Sequence, residues 1–479
     1  MLEDIKINLA YDQILAYDEL GNPYVKINLF QYNVNSHTID NKVVNTFIKQ
    51  IEKDFRIKFP YTIKIYDEPE LKKRIHQLKR ISIDLDRVID NFHKNFIIKT
   101  LDELYDSDEN FIYPILLDNN DIFNKYVTID LPEKLIESIH KKKGRIFFFQ
   151  VTEGYFGSHG NINNDYIWIS NLSSRYNLQK EDIVVVSANF SIQDQFNNLV
   201  TKGVILDNFT VFSYNYCQYN LFFHYHNTGK MLNPDVRTTV TEMFNYFLNN
   251  NKKIQKQHHF LCFNRVPKDH RVAIFSEILS NPNLRNKSII TLARTGNSNP
   301  LDYYNRISNI IEEDYKYDKN RLLEFLKNYD STQHFIYDEI ELDSNKSGII
   351  NNYIHGSTFI NIVTESLFNE KNATFFSEKT FKPIYACQPF IIISTPGFLK
   401  KMKELGYQTF EQWWDESYDT EENLTRKLEK IVEILTEISF WSMDKCFQIT
   451  QEMEPILVHN FNTMLNLENA ESLFYLMRS

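Results

Sequence analysis

A chain of 479 residues is more than one ordinary core organises, and at roughly 100–200 residues per domain it should divide into two or three. Its 42% hydrophobic and 14% aromatic content, with 37 Phe and 28 Tyr, excludes a disordered chain. The formal net charge of -10 argues against non-specific nucleic-acid binding, which depends on neutralising phosphates.

The N-terminal stretch MLEDIKINLAYDQ is acidic and lacks the apolar core of a secretory signal. No apolar run approaches the ~18 residues of a membrane span. The four cysteines, Cys217, Cys262, Cys387 and Cys446, are far apart and form no CxxC pair. They read as reduced core residues of a cytoplasmic protein, not as disulfides or a zinc site. Only 12 glycines occur, without GxGxxG or a Walker loop, which weakens dehydrogenase and P-loop readings.

Residues 1–125 look irregular: short candidate strands (Tyr24–Phe30, Tyr61–Tyr66) mix with a charged helical stretch, Glu70–Asn91. They are expected to form an accessory region. Residues 126–247 change character. Arg145–Val151 (RIFFFQV) and Asp182–Ser187 (DIVVVS) are continuous apolar runs, as in strands covered on both faces, and a helical segment, Asp165–Tyr176, lies between them. Strand, helix, strand at this spacing is a βαβ unit.

The polar stretch Leu248–Gln257 (LNNNKKIQKQ) reads as a linker. Residues 258–440 then alternate clearly. Strands are expected at His259–Phe263, Ser288–Leu292, Phe359–Val363 and Phe390–Ser394. Helices are expected at Lys268–Leu279, Leu301–Asn328, Glu378–Cys387, Pro396–Leu405 and Glu421–Ile438, with more helix over 441–479. The whole predicts an α/β chain with two Rossmann-like, doubly wound parallel-sheet domains facing a cleft, and ligands outside the carboxyl ends of the strands.

The segment Phe376–Ile384, FSEKTFKPI, carries the most chemistry. Ser377 can cap the following helix. Lys379 adds a full charge to a terminus that already suits a phosphate, and Glu378 can accept from ribose hydroxyls. A plain capped surface helix, with Glu378 favourably placed on its dipole, explains the same residues.

The stretch INIVTESLFNEKNATFFSEKTFKPIYACQPFIIIS (Ile360–Ser394) resembles the donor-binding segment of the family-10 α1,3-fucosyltransferases. Thr364-Glu365-Ser366 stands where that family has E-N-S, Phe376-Ser377-Glu378-Lys379 for its E-K block, and Pro389 opens the returning strand. Continuing through Thr409-Phe410, Trp413-Trp414 and Asp415 to Asp419, the block is similar to fucosyltransferase-like proteins of large DNA viruses and phages. FNRVPKDHRVAIFSEIL (Phe263–Leu279) resembles the family's preceding strand, loop and helix, and Arg271 falls on the arginine that contacts the donor pyrophosphate. An Arg snorkelling from an amphipathic helix would look the same. Asn264, Arg265, His270 and, after the next strand, Arg294 lie nearby.

The resemblance implies a GT-B-like fold and an inverting, metal-independent transfer from a nucleoside-diphosphate sugar, with GDP-fucose suggested, to a carbohydrate or glycoconjugate acceptor. No resident cofactor is implied. The donor contacts would be Arg271, Glu378, Lys379, Glu365, Ser366, Asn264 and Arg294. Glu153, after the strand Arg145–Val151, matches the family's strand-end glutamate and would take the acceptor proton; a loop carboxylate without a role is the alternative. Two departures stand out: Glu365 replaces an Asn, and Pro383 should kink or shorten its helix.

Metal chemistry has weak support. His224-Tyr225-His226 and His258-His259 lack a carboxylate partner, and Asp84-Leu85-Asp86 sits in a charged helical stretch. Trp413, Trp414 and Tyr418 fit the packing of the donor domain better than sugar stacking. Two other functions remain open: a non-catalytic binding or structural protein on a glycosyltransferase-like scaffold, and an enzyme glycosylating modified DNA bases, which the net charge disfavours.

Overall fold

In the computed structural model the described residues are 7–11, 14–17, 23–26, 96–116, 131–150, 163–215, 217–218, 240–253, 256–264, 268–292, 320, 324, 350, 352–368, 373–466, 472–473 and 476–477. The chain forms two compact units. One comprises Met1–Tyr214 with Glu468–Ser479, the other Asn215–Leu467.

In the first unit, β1 (Ile7–Tyr11) precedes an antiparallel hairpin, β2 (Ile14–Tyr17) and β3 (Pro23–Lys26). Then come β4 (Phe96–Thr100), β5 (Phe111–Leu116), β6 (Gly144–Gln150), β7 (Ile183–Ser187) and β8 (Thr210–Ser213). Six of these build one sheet in the order β4-β1-β5-β6-β7-β8, and every neighbouring pair is parallel. β7 is buried at all five positions and β6 at all but Arg145, as a sheet layered on both faces requires. Helix Asn163–Arg175 sets Trp168 edge-on to Phe148, with ring centroids 5.6 Å apart. Helix Ile192–Thr201 turns Ile192, Phe196 and Leu199 inward at helical spacing, and Phe196 meets Phe209 at 4.8 Å. At the far end of the chain, Leu476 returns to this unit, where its carbonyl accepts from the Arg145 guanidinium at 2.6 Å.

The expected strand and helix of residues 145–187 are present within two residues of their predicted bounds. The accessory region is corrected: β1, β4 and β5, all within residues 1–125, join the same sheet as β6–β8. Pairing between segments so far apart leaves no trace in local periodicity. Tyr61–Tyr66 and Glu70–Asn91 lie outside the described residues.

The second unit carries β9 (His258–Asn264), β10 (Ser288–Leu292), β11 (Thr358–Thr364) and β12 (Phe390–Ile393), all parallel in the order β10-β9-β11-β12. β11 and β12 are buried at every position. Helix Asp269–Ser280 connects β9 to β10 and helix Glu378–Tyr385 connects β11 to β12. Helices Phe398–Glu404, Leu424–Ser439, Met443–Glu452 and Glu454–Met464 follow β12. Of the expected helix Leu301–Asn328, Asn320 and Glu324 are described, both helical. Trp414 and Tyr418 are buried, with Trp414 packed on Phe410 at 5.4 Å, the packing role expected of them.

The linker expected over Leu248–Gln257 is not one. Helix Val240–Lys253 runs through its first half. Asn251 donates to the Cys387 carbonyl at 2.7 Å, and the buried Lys256 ammonium donates to Asn251 Oδ1 at 2.9 Å and the Gly356 carbonyl at 3.0 Å. These polar side chains are internal ties, and burial pushes the Lys256 ammonium down to about 8. Both units are α/β, each built on a Rossmann-like parallel sheet, the fold class expected from the sequence.

Candidate functional site

The carboxyl ends of β9, β10 and β11 bear Asn264, Thr291 and Thr364, which bond to one another. The Asn264 backbone N–H donates to Thr291 Oγ1 at 3.2 Å, and Thr364 Oγ1 donates to Asn264 Oδ1 at 2.5 Å. All three are buried. Asn264, expected at the donor, is thereby committed to joining strands.

Helix Asp269–Ser280 then brings two cationic-type side chains to the end of β11. Arg271 Nη2 donates to the carbonyls of Thr364 and Glu365 at 3.2 and 3.0 Å. His270 Nε2 donates to the same Glu365 carbonyl at 2.9 Å, and its ring stacks on Phe368 at 4.7 Å. Burial, then the charge of Arg271, push the imidazole down to about 3, so it is neutral and its Nε2 carries the proton. Lys268 reaches the Ser366 carbonyl at 2.7 Å. Arg271 is 3% exposed, so its charge acts from beneath the surface.

The Glu365 side chain is fully buried. Its Oε2 accepts from the Ser366 N–H at 3.0 Å, and its Oε1 from the Ser377 N–H at 3.1 Å and Thr380 Oγ1 at 2.5 Å. Expected as a donor contact, Glu365 instead has both oxygens occupied internally. Ser366, 6% exposed, is held by the same bonds.

Ser377 caps helix Glu378–Tyr385 as the sequence predicts, Oγ accepting from the Lys379 N–H at 3.2 Å. Lys379 Nζ lies 2.8 Å from Glu378 Oε1 and 3.3 Å from Ser377 Oγ, and each of the paired side chains is about a quarter exposed (26% and 27%). Burial opposes the ionisation of Glu378. The charge of Lys379, its hydrogen bond and the charge of Lys382 outweigh that, holding the carboxyl at about 2. Burial likewise opposes the charge of Lys379, and the Glu378 and Glu365 carboxylates more than restore it, raising its pKa; Arg271 works against them.

Two of the helix N–H groups expected to meet a phosphate are engaged. That of Lys379 meets Ser377 Oγ, and that of Thr380 the Ser377 carbonyl. Burial and then the Glu378 and Glu365 carboxylates push the Cys217 thiol up, so it stays protonated. Pro383 lies inside the helix, which ends two residues later at Tyr385. The chain turns there through Cys387 at φ 46°, and the Gln388 N–H closes back on the Pro383 carbonyl at 2.8 Å.

Thr380, Cys217, Lys268 and Lys427 had no signal in the sequence. The buried Lys427 ammonium donates to the Ser394 carbonyl just beyond β12 at 2.6 Å and lies 5.8 Å from the Phe368 ring. Glu153 and Arg294, with Arg265, His224 and His226, lie outside the described residues. His259 Nε2 bonds to the Trp441 carbonyl at 2.9 Å. Among the described residues no group of three or more His, Cys, Asp or Glu could hold a metal ion, and no helix is long and apolar enough to cross a membrane.

No protein-family model matches the chain, and no curated protein matches it. Among solved structures it is similar to one described as the Candida albicans trehalose-6-phosphate phosphatase N-terminal domain, at 10% identity and a TM-score of 0.38, covering 89% of this chain and 80% of that one. It is also similar to one described as trehalose-6-phosphate from E. coli bound with UDP-2-fluoro glucose, at 12% identity and a TM-score of 0.40, covering 98% and 91%. Likenesses this shallow do not assign the chain to a family.

Proposed function

We propose that this protein is a glycosyltransferase whose second unit binds a nucleoside-diphosphate sugar at the carboxyl end of its sheet. One observation carries the reading: Arg271 bonds to the Thr364 and Glu365 carbonyls at the end of β11, and the helix turn that bears the partly exposed Lys379 is bonded to the Glu365 carboxylate through the Ser377 N–H and the Thr380 hydroxyl. Carboxyl ends of parallel strands are where open α/β sheets take ligands, and a pair of cations there suits a diphosphate.

The FSEKTFKPI segment and its resemblance to family-10 fucosyltransferases make GDP-fucose the first donor to test. In the proposed reaction an acceptor hydroxyl attacks the anomeric carbon with inversion. The bond to the diphosphate breaks, Glu153 takes the hydroxyl proton, and the charge left on the nucleoside diphosphate is met by Lys379 over Arg271. The acceptor is a carbohydrate or glycoconjugate, and no divalent ion is needed. Isothermal titration with GDP, UDP and their sugars tests the donor site. Failure of every nucleoside diphosphate to bind would remove the reading.

A second reading has an observation of its own. The N–H groups of Lys379 and Thr380 are engaged and Arg271 is buried, as in a scaffold that no longer binds a donor. The same titration separates the two.

A further inference from the structure

Glu365 is the residue on which both cation-bearing helices meet. Its backbone carbonyl receives His270 and Arg271 of one helix, and its carboxylate receives the Ser377 N–H and Thr380 hydroxyl at the start of the other. Its second oxygen takes the Ser366 N–H, which closes the loop after β11 on itself. With no exposed surface, Glu365 cannot touch a ligand.

We propose that Glu365 is a positioning residue, a joint that fixes Lys379 relative to Arg271, and that its carboxylate is required because both oxygens must accept. The proposal rests on the donor-site reading above. Glutamine fits the same volume but cannot replace it. With the amide in one orientation its NH2 faces the Ser366 N–H; flipped, it faces the Ser377 N–H. Either way two donors confront each other in a buried site and the turn must shift. Charge alone predicts the opposite result. A carboxylate close enough to act on Lys379 opposes an incoming anion, so removing it should tighten anion binding.

The test is titration of inorganic pyrophosphate and GDP into wild type, Glu365→Gln, Thr380→Val and Thr380→Ser, with urea unfolding of each. Thr380 is fully buried, and valine removes only its hydroxyl contact, so that variant should fold even where Glu365→Gln does not. Pyrophosphate and GDP affinity should both fall about tenfold in Glu365→Gln and about three- to tenfold in Thr380→Val, the scale of one buried hydrogen bond, and serine should restore them. Three results would overturn the assignment. Tighter anion binding in Glu365→Gln would mean that charge governs, and unchanged binding that Glu365 positions nothing. Weaker GDP binding with pyrophosphate unchanged would make Glu365 a nucleoside contact. A lower unfolding midpoint with wild-type affinity in Thr380→Val would make the contact structural only. Wild type that binds neither anion refutes the donor site itself, a separate outcome from wild type that binds while the variants bind equally well.

Discussion

Lys379→Ala removes the ammonium that reaches solvent at the end of β11. A charge-assisted contact to a phosphate contributes about 1.5–3 kcal/mol. In the free protein Lys379 is already paired with Glu378 at 2.8 Å, both side chains about a quarter exposed, and surface pairs of this kind are worth up to about 1 kcal/mol. Binding must disturb that pair, so the net loss should be about 1–2 kcal/mol, or roughly 5- to 30-fold in Kd. Glu378→Gln should act with the other sign on pyrophosphate, since it releases Lys379 from its partner and removes a negative charge. It should weaken GDP if the carboxylate meets the ribose. Titrating both variants with pyrophosphate and GDP separates the phosphate and ribose contributions. Pyrophosphate binding of wild-type strength in Lys379→Ala would refute the reasoning. The same variant carries a pH signature. Glu378 is held at about 2 against 4.5, so in wild type it contributes stability above pH 4.5 that is lost as pH falls through 2. Without Lys379 that acid-dependent loss should shrink.

Three further outcomes are expected. Glu153→Gln should lower turnover by about 100-fold or more with donor affinity unchanged, the scale of general base catalysis, and a fully active variant would point to another carboxylate. Transfer should survive chelation, and loss in EDTA restored by manganese would contradict the cation-based site. Lys427 is held at about 8 against 10.5, chiefly by burial, so a destabilising contribution present below pH 8 is relieved as pH rises toward 10.5. Wild type should therefore gain stability relative to Lys427→Met across that window in urea unfolding, and a constant difference would show that the lysine does not titrate there.

The second sheet was legible because its strands are short apolar runs between helices, and parallel strands buried on both faces must read that way. The Ser377 cap was legible for a local reason, a side chain bonding two residues ahead. Other features depend on contacts between distant segments. Asn251 and Lys256 spell a linker, and only the carbonyls of Cys387 and Gly356 make them internal. Helix Asp269–Ser280 is buried from His270 to Leu279, so it has no polar face by which its arginine could be told from a snorkelling one. Glu365 looked like a substituted donor contact because nothing in TES discloses that Ser377 and Thr380 close over it.

The return of Glu468–Ser479 to the first unit bears on how the chain is made. The second unit is in effect an insertion, entered at Asn215 and left at Leu467, and the first unit waits for it. A ribosome delivers β1 to β8 early, but the Leu476 carbonyl that receives Arg145 arrives only after every strand and helix of the second unit. The unit synthesised first is thus completed last. In the interval Arg145 lacks that backbone acceptor, a condition in which a chaperone or a neighbouring nascent chain can offer the guanidinium another carbonyl.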